Sequence, residues 1–277
     1  MASIPFVLSS KTSGTGAITV PAPGGLAVGQ LLLGFVETAN QSVTTPANWS
    51  VVTTSPQGTG TAGGTSATCI SVFYRVADGT SADNMAVADS GDHQVAITVA
   101  VPVADATTPF DATPTGSVAS SATTSVSFDS ITTATANALI VLAVANATDT
   151  ATSQGGTLTN AALTDITPVV GCTDATFSGN NTDGNGGGLS IWLARKATAG
   201  STGTSSTTLA TSSVQGRMTI AIRPKTTDRI AVSKAVAYAV SGPSEVGVSL
   251  TKMVAYAVTE IGAAPPSTNN GNFFVFL

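Results

Sequence analysis

The sequence predicts an all-β fold: a Greek-key or jelly-roll type β-sandwich of two similar halves, followed by a short C-terminal β-repeat segment. Three observations carry that prediction. Short runs rich in Val, Ile, Leu and Thr recur between clusters of Gly, Pro, Asn and Asp, without a sustained helical apolar period. Charged residues are only 9% of the 277, against roughly 25% in an ordinary soluble domain, and Thr, Ser, Gly and Asn stand in their place. Thr and Val suit a pleated, half-buried surface, whereas Lys and Glu suit exposed helix faces. Finally, an eleven-residue phrase occurs twice near the C-terminus, at 230–240 and 248–258, with Lys, Val, Ala, Tyr, Ala and Val in identical places.

In the first half, about residues 1–104, strands are expected at 4–8, 17–20, 30–37, 49–54, 69–76, 86–89 and 94–103. In the second, about 115–225, they are expected at 125–129, 138–146, 189–196, 207–210 and 217–223. Turn residues such as Pro21, Pro23, Gly24, Gly25 and Pro46 punctuate them. The halves echo each other. Residues 17–20, a turn and 30–36 parallel 125–128, a turn and 138–144. Residues 70–75 parallel 189–195, and 94–99 parallel 216–222. A Pro-punctuated crossover at 105–114 joins the halves. One sandwich spanning 1–225 is favoured over two small domains, because half of it alone would leave open edges to cover.

The repeats occupy 228–260. Large apolar residues fall on alternate positions: Ile230, Val232, Val236, Tyr238 and Val240, then Val248, Leu250, Val254, Tyr256 and Val258. That period sets them on one face of a strand, interrupted by Lys234 and Lys252. Two short strands cannot bury themselves, so the segment reads as a docking element. Lys234, Val236, Tyr238, Val240, Lys252, Val254, Tyr256 and Val258 are its expected interface residues. Residues 261–277 read as a Pro/Asn-rich linker and an apolar tail. In the tail, Phe273, Phe274 and Phe276 are expected to enter a groove on this subunit or its neighbour, or to form a last core strand.

Charge is unevenly spread. Residues 1–194 carry net −10, whereas 195–277 carry +5, with eight basic residues against Asp228, Glu245 and Glu260. The asymmetry suggests a C-terminal portion that faces an acidic partner, or strand-end Arg and Lys that simply cluster. The basic residues are scattered, without interleaved stacking aromatics, so nucleic acid is not an expected partner. The longest apolar stretch, 138–145, is too short to span a bilayer as a helix, and residues 1–8 lack the pattern of a signal peptide, so a membrane is not expected either. Cys69 and Cys172 form no metal-ligand spacing. Buried thiols are expected, with a disulfide between the halves as the alternative.

Candidate chemistry is sparse. The one histidine, His93, follows Asp92, but no nucleophile elbow accompanies them, and a turn entering a strand explains them better than a triad. Asp78, Asp83 and Asp183 precede Gly or Asn, as turn aspartates do, and no pair stands out for glycoside hydrolysis. Residues 181–186 match the first half of a calcium loop, but Trp192 stands where its bidentate Glu belongs. The glycines at 184 and 186–188 run into a strand, not into the helix that phosphate cradling requires. Asn40, Asn48, Asn146 and Asn180 match glycosylation sequons, as chance allows in an Asn/Thr-rich chain. Trp49, Phe73, Tyr74 and Trp192 lie in or beside strands and are expected in the core. No catalytic residue, metal or cofactor is expected.

Residues 28–36, 45–51 and 70–77 together resemble β-sandwich modules in structural proteins of tailed bacteriophages. The tandem Val-Ser-Lys-Ala-Val-Ala-Tyr-Ala-Val phrase is similar to short repeats appended to phage virion proteins. The resemblance implies a non-enzymatic virion component on the particle exterior, either capsid decoration or a head or tail fibre. Its partners would be other copies of itself, for which a trimer is one suitable symmetry, and other virion proteins. A carbohydrate-binding adhesin recognising a host-surface glycan through loops 55–67 or 171–188 is the alternative.

Overall fold

The computed structural model describes residues 7–8, 12–102, 104–148, 154–169, 186–225, 231–240 and 250–259. Among them the fold is all β apart from one 3-10 turn at Ser81–Asp83. The strands are β1 (Val7–Leu8), β2 (Thr12–Gly14), β3 (Ile18–Val20), β4 (Leu31–Thr38), β5 (Ser50–Val51), β6 (Gln57–Thr59), β7 (Thr68–Val76), β8 (Met85–Val87) and β9 (Gln94–Val101). They continue as β10 (Thr115–Phe128), β11 (Thr132–Thr133), β12 (Ala138–Asn146), β13 (Thr164–Pro168), β14 (Gly188–Lys196), β15 (Gly200–Ser201), β16 (Ser205–Ile222), β17 (Ala231–Val240) and β18 (Leu250–Thr259). Met1–Lys225 forms one compact unit and Thr226–Leu277 another.

Two large antiparallel sheets form the centre of the first unit, beside the two-stranded pairs β3–β8 and β11–β15. One runs β1-β9-β4-β7-β5, with β2 also on β9 and β6 also on β7; the other runs β10-β16-β12-β14-β13. Their central ladders correspond rung for rung. Leu31 pairs with Val101 and Val76, and Thr38 with Gln94 and Cys69. Likewise Leu139 pairs with Ile222 and Arg195, and Asn146 with Gln215 and Gly188.

Alternation along these strands makes three apolar layers. Leu31, Leu33, Phe35, Ile97 and Val99 of one sheet share a core with Val141, Ala143, Ile191, Ile220 and Ile222 of the other. Leu32, Val36, Phe73 and Ala100 lie on the opposite face, under Val20, Trp49, Met85 and Val87, so the β3–β8 pair covers the first sheet. Ile140, Leu142, Trp192 and Ala221 lie under Val126, Phe128 and Leu209, so the far ends of β10 and β16 cover the second. Burial on both faces explains the unbroken apolar runs at 31–36 and 138–145, by the same logic as the strands of a covered parallel sheet. Cutting one such buried Leu or Ile to Ala costs about 2–5 kcal/mol.

The edges interlock as well. A Cβ on Gly216 of β16 would strike the Gln57 carbonyl oxygen of β6, and one on Gly116 of β10 would come within 2.7 Å of Gln57 Cγ. The edge of the first sheet therefore rests directly on backbone of the second, a close approach that only glycine permits.

Several elements differ from expectation. β10 begins at Thr115, ten residues before the strand read at 125–129, because its first part is a largely exposed Ser/Ala/Thr edge with no apolar period. The strands read at 207–210 and 217–223 are one strand, β16, whose exposed Ala210–Ser212 stretch reads as a break. The strand read at 49–54 shrinks to β5. β2, β6, β11, β13 and β15 were not anticipated; they are two to five residues long and carry little apolar pattern.

In the second unit, β17 and β18 pair antiparallel, with Val232 opposite Val258, Lys234 opposite Tyr256, Val236 opposite Val254 and Tyr238 opposite Lys252. Alternate positions place Lys234, Val236, Tyr238 and Val240 on one face of the ladder with Lys252, Val254, Tyr256 and Val258. Ala, Ser and Thr, with Met253, occupy the positions between. Phe273, Phe274 and Phe276 lie outside the described residues.

Candidate functional site

The chemistry-bearing residues of the first unit concentrate at one end of the first sheet, where β4 finishes and β7 and β9 begin. Leu31, Leu33 and Phe35 face the shared core, and the same alternation turns Glu37 inward. Glu37 and His93 are both fully buried. Glu37 Oε2 lies 3.0 Å from His93 Nε2, and Thr68 Oγ1 donates to Glu37 Oε1 at 2.9 Å. Asp92 Oδ1 accepts the His93 backbone N–H at 2.7 Å and lies 3.8 Å from His93 Nδ1. The imidazole thus stands between two carboxylates. From the other half, Gly187, the residue before β14, packs its backbone so tightly on the Glu37 carboxylate that a Cβ there would overlap it.

Burial pushes the Glu37 carboxyl above its ordinary range, an effect that the His93 and Thr68 hydrogen bonds oppose and the Asp92 charge reinforces. The neighbouring Cys69 thiol is pushed up to about 11, first by burial and also by the Glu37 charge, so it stays protonated. Cys69 is a free buried thiol, and Cys172 lies outside the described residues. A substrate could reach these groups only if this end of the body opened.

His93 lies in the turn that enters β9, as the sequence suggests. Asp92 precedes β9, so strand alternation does not separate it from His93, and the hydrogen-bonding carboxylate belongs to Glu37, distant in sequence. One sequence signal pointed there: Glu37 is a charge on the inward parity of an otherwise apolar strand.

The other candidates fall into structural roles. Asp78 and Asp83 meet on one guanidinium, at 2.6 Å from Arg75 Nη2 and 2.7 Å from Arg75 Nε, while Arg75 Nη1 donates to the Asn48 carbonyl. Hydrogen bonds from Thr80 and Arg75 hold Asp78 down to about 2. Trp49, Phe73 and Trp192 are buried, with Trp49 Nε1 donating to the Ala82 carbonyl. Tyr74 packs edge-on against Phe110. Asn146 is fully buried and donates to the Gly188 carbonyl, which places that sequon in the interior. Asn180 and residues 181–185, which carry most of the calcium-like match and Asp183, lie outside the described residues.

Two clefts of about 360 and 370 Å³ open on the outer covers, one lined by Gly155, Gly156, Pro168 and Trp192, the other by Ile18, Thr45, Pro46 and Val87. Trp192 is only 1% exposed, with Gly155 laid against its ring, so it offers no stacking platform for a sugar. Among the described residues no group of three or more His, Cys, Asp or Glu is arranged to hold a metal ion, and no helix is long and apolar enough to cross a membrane.

Of the basic residues at 195–277, Arg195, Lys196, Arg223 and Lys225 lie at or just beyond the ends of β14 and β16, in line with the clustering alternative. Arg195, Lys196, Arg217, Arg223 and Lys225 belong to the first unit, where Arg195 pairs with Asp165 at 3.1 Å and Arg217 donates to the Ser127 carbonyl. Residues 226–277 hold Arg229, Lys234 and Lys252 against Asp228, Glu245 and Glu260, a net charge of zero. The segment that carries the repeats is therefore neutral, not basic. Comparison with protein families, curated proteins and solved structures returns no match for this chain.

Proposed function

We propose that this chain is a non-enzymatic structural subunit on the exterior of a tailed-bacteriophage virion, as capsid decoration or part of a head or tail fibre. The body, 1–225, is a sandwich of the Greek-key or jelly-roll type, and the 228–260 repeats attach it to the particle or to sister subunits. The observation that carries this reading is the duplicated strand phrase, paired with itself as a two-stranded ladder. Such a ladder is marginal alone and gains stability when a neighbour covers a face or extends an edge. The rung-for-rung likeness of the two sheets supports a rigid duplicated body, and the few surface charges suit a particle exterior. The burial of Glu37 and His93 supports a role for them in holding the body together.

Deletion of residues 228–277 tests the reading. The truncated protein is expected to fold, because Met1–Lys225 is a compact unit with its own core, and to be missing from particles offered both forms. Full occupancy by the truncated protein would overturn the docking role.

A further inference from the structure

We infer that the C-terminal repeats join two copies of this chain, a repeat strand of one lying edge-on and antiparallel to the same strand of the other, with its central valine opposite itself. This deepens the docking role proposed above and rests on it.

The register within one copy is the starting point. β17 meets β18 about the pair Val236 and Val254, and these two residues are equivalent in the repeat. Every other rung therefore shows β17 a near copy of itself. Val232 faces Val258, which repeats Val240, and Lys234 faces Tyr256, which repeats Tyr238. A second copy of β17, centred on Val236, would present Val240, Tyr238 and Val236 to the same three residues. The cross-strand neighbours that serve inside one hairpin thus recur between two, and β18 centred on Val254 has the same property.

Three further considerations favour this occupant. Among the described residues the ladder contains β17 and β18 alone, so each strand has an outer edge whose backbone groups can accept another strand. Charge favours meeting here: residues 226–277 sum to zero, whereas 1–225 sum to −5, so two bodies repel and two repeat segments do not. Charge also disfavours one competing register. Moving the two-fold centre from Val236 to Lys234, a slip of four residues between the strands, would set Lys234 opposite Lys234, which is unfavourable, whereas the valine-centred register sets each Lys opposite a Tyr. The contact is self-complementary about a two-fold axis and closes at two copies through one strand edge.

Cysteine scanning of the full-length chain tests it. Directly opposed residues in an antiparallel pair place their Cβ atoms about 4.5–5.5 Å apart, near disulfide reach. With wild-type protein under the same mild oxidation as the control, Val236→Cys, Val254→Cys or both should shift the chain to twice its mass on a non-reducing gel. Lys234→Cys and Tyr238→Cys should each lose that band alone and regain it when mixed, if β17 is the joining edge. Lys252→Cys and Tyr256→Cys should behave the same way if it is β18. Failure of both valine variants to cross-link, together with a wild-type chain that sediments as a monomer or trimer, would overturn the inference. Particle binding by a chain that stays monomeric would remove the homotypic pairing and leave the docking role standing. A chain that cross-links as expected, yet whose truncation still fills the particle, would do the reverse.

Discussion

The two sheets of the body share one ladder and end it differently. In the first, Glu37 pairs with Val95 and Ile70; at the same rung of the second, Ala145 pairs with Gly216 and Leu189. The same correspondence sets Thr68 against Gly187 and His93 against Val214. One half closes its core with a carboxylate, a hydroxyl and an imidazole, and the other with small or apolar groups. The ladder therefore does not require the polar trio. What the trio adds is a connection: its hydrogen bonds tie β4 to β7 and to the residue entering β9, and Gly187 of the other half rests on it. The second half holds a similar end with packing alone, and its Leu142 stands at the position where the first half has Gly34 beneath Met85 and Trp49.

The largest expected effect breaks this comparison on one side only. His93→Ala leaves the Glu37 carboxylate buried with Thr68 as its remaining side-chain donor, and should cost about 3–5 kcal/mol in urea unfolding. The double change Glu37→Ala with His93→Val copies the second half and should recover most of that loss. A double variant as unstable as the single one would show that the halves do not have interchangeable ends.

A smaller effect concerns pH. A carboxyl whose folded pKa is raised holds its proton more tightly in the folded state. Its stabilising contribution is complete below the unfolded value of 4.5 and is lost as pH rises through the folded value. In the His93→Ala variant, which lacks the opposing hydrogen bond, melting temperature should fall as pH is raised above 4.5. Adding Glu37→Gln should remove that slope, and a slope that persists would assign the titration to another group.

The smallest effect sharpens the comparison from the surface. Asp165→Asn breaks the 3.1 Å pair with Arg195, both partly exposed, and should change stability by no more than about 1 kcal/mol by thermal melt.

The central strands were legible in the sequence because burial on both faces leaves an apolar run with no polar alternation, as at 31–36 and 138–145. The correspondence of the halves was legible there too, since 17–20 and 30–36 keep their spacing in 125–128 and 138–144, and the later strands follow in the same order after a longer excursion. The edges were not. Residues 115–124 of β10 hold their place through backbone pairing to β16, and an exposed Ser/Ala/Thr strand carries no side-chain signature of that. His93 was visible and Glu37 was not connected to it, because the turn before β9 and the end of β4 meet only once the sheet has formed. The net charge of 195–277 left two readings open for a related reason: a sum along the chain ignores where one folded unit stops and the next begins.

β16 crosses two layers without interruption: one end lies in the main sheet beside β12, and the other lies in the outer cover beside Phe128. The first half divides the same task between β9 and β8, separated by the turn at residues 88–93. Its outer cover can lift on that tether while the ladder beneath stays closed, whereas in the second half lifting the cover means peeling the strand that continues into the sheet. Amide hydrogens of β3 and β8 should accordingly exchange through a local opening that those at 125–128 and 205–208 do not share, so that a duplicated body acquires one loose side and one fast side.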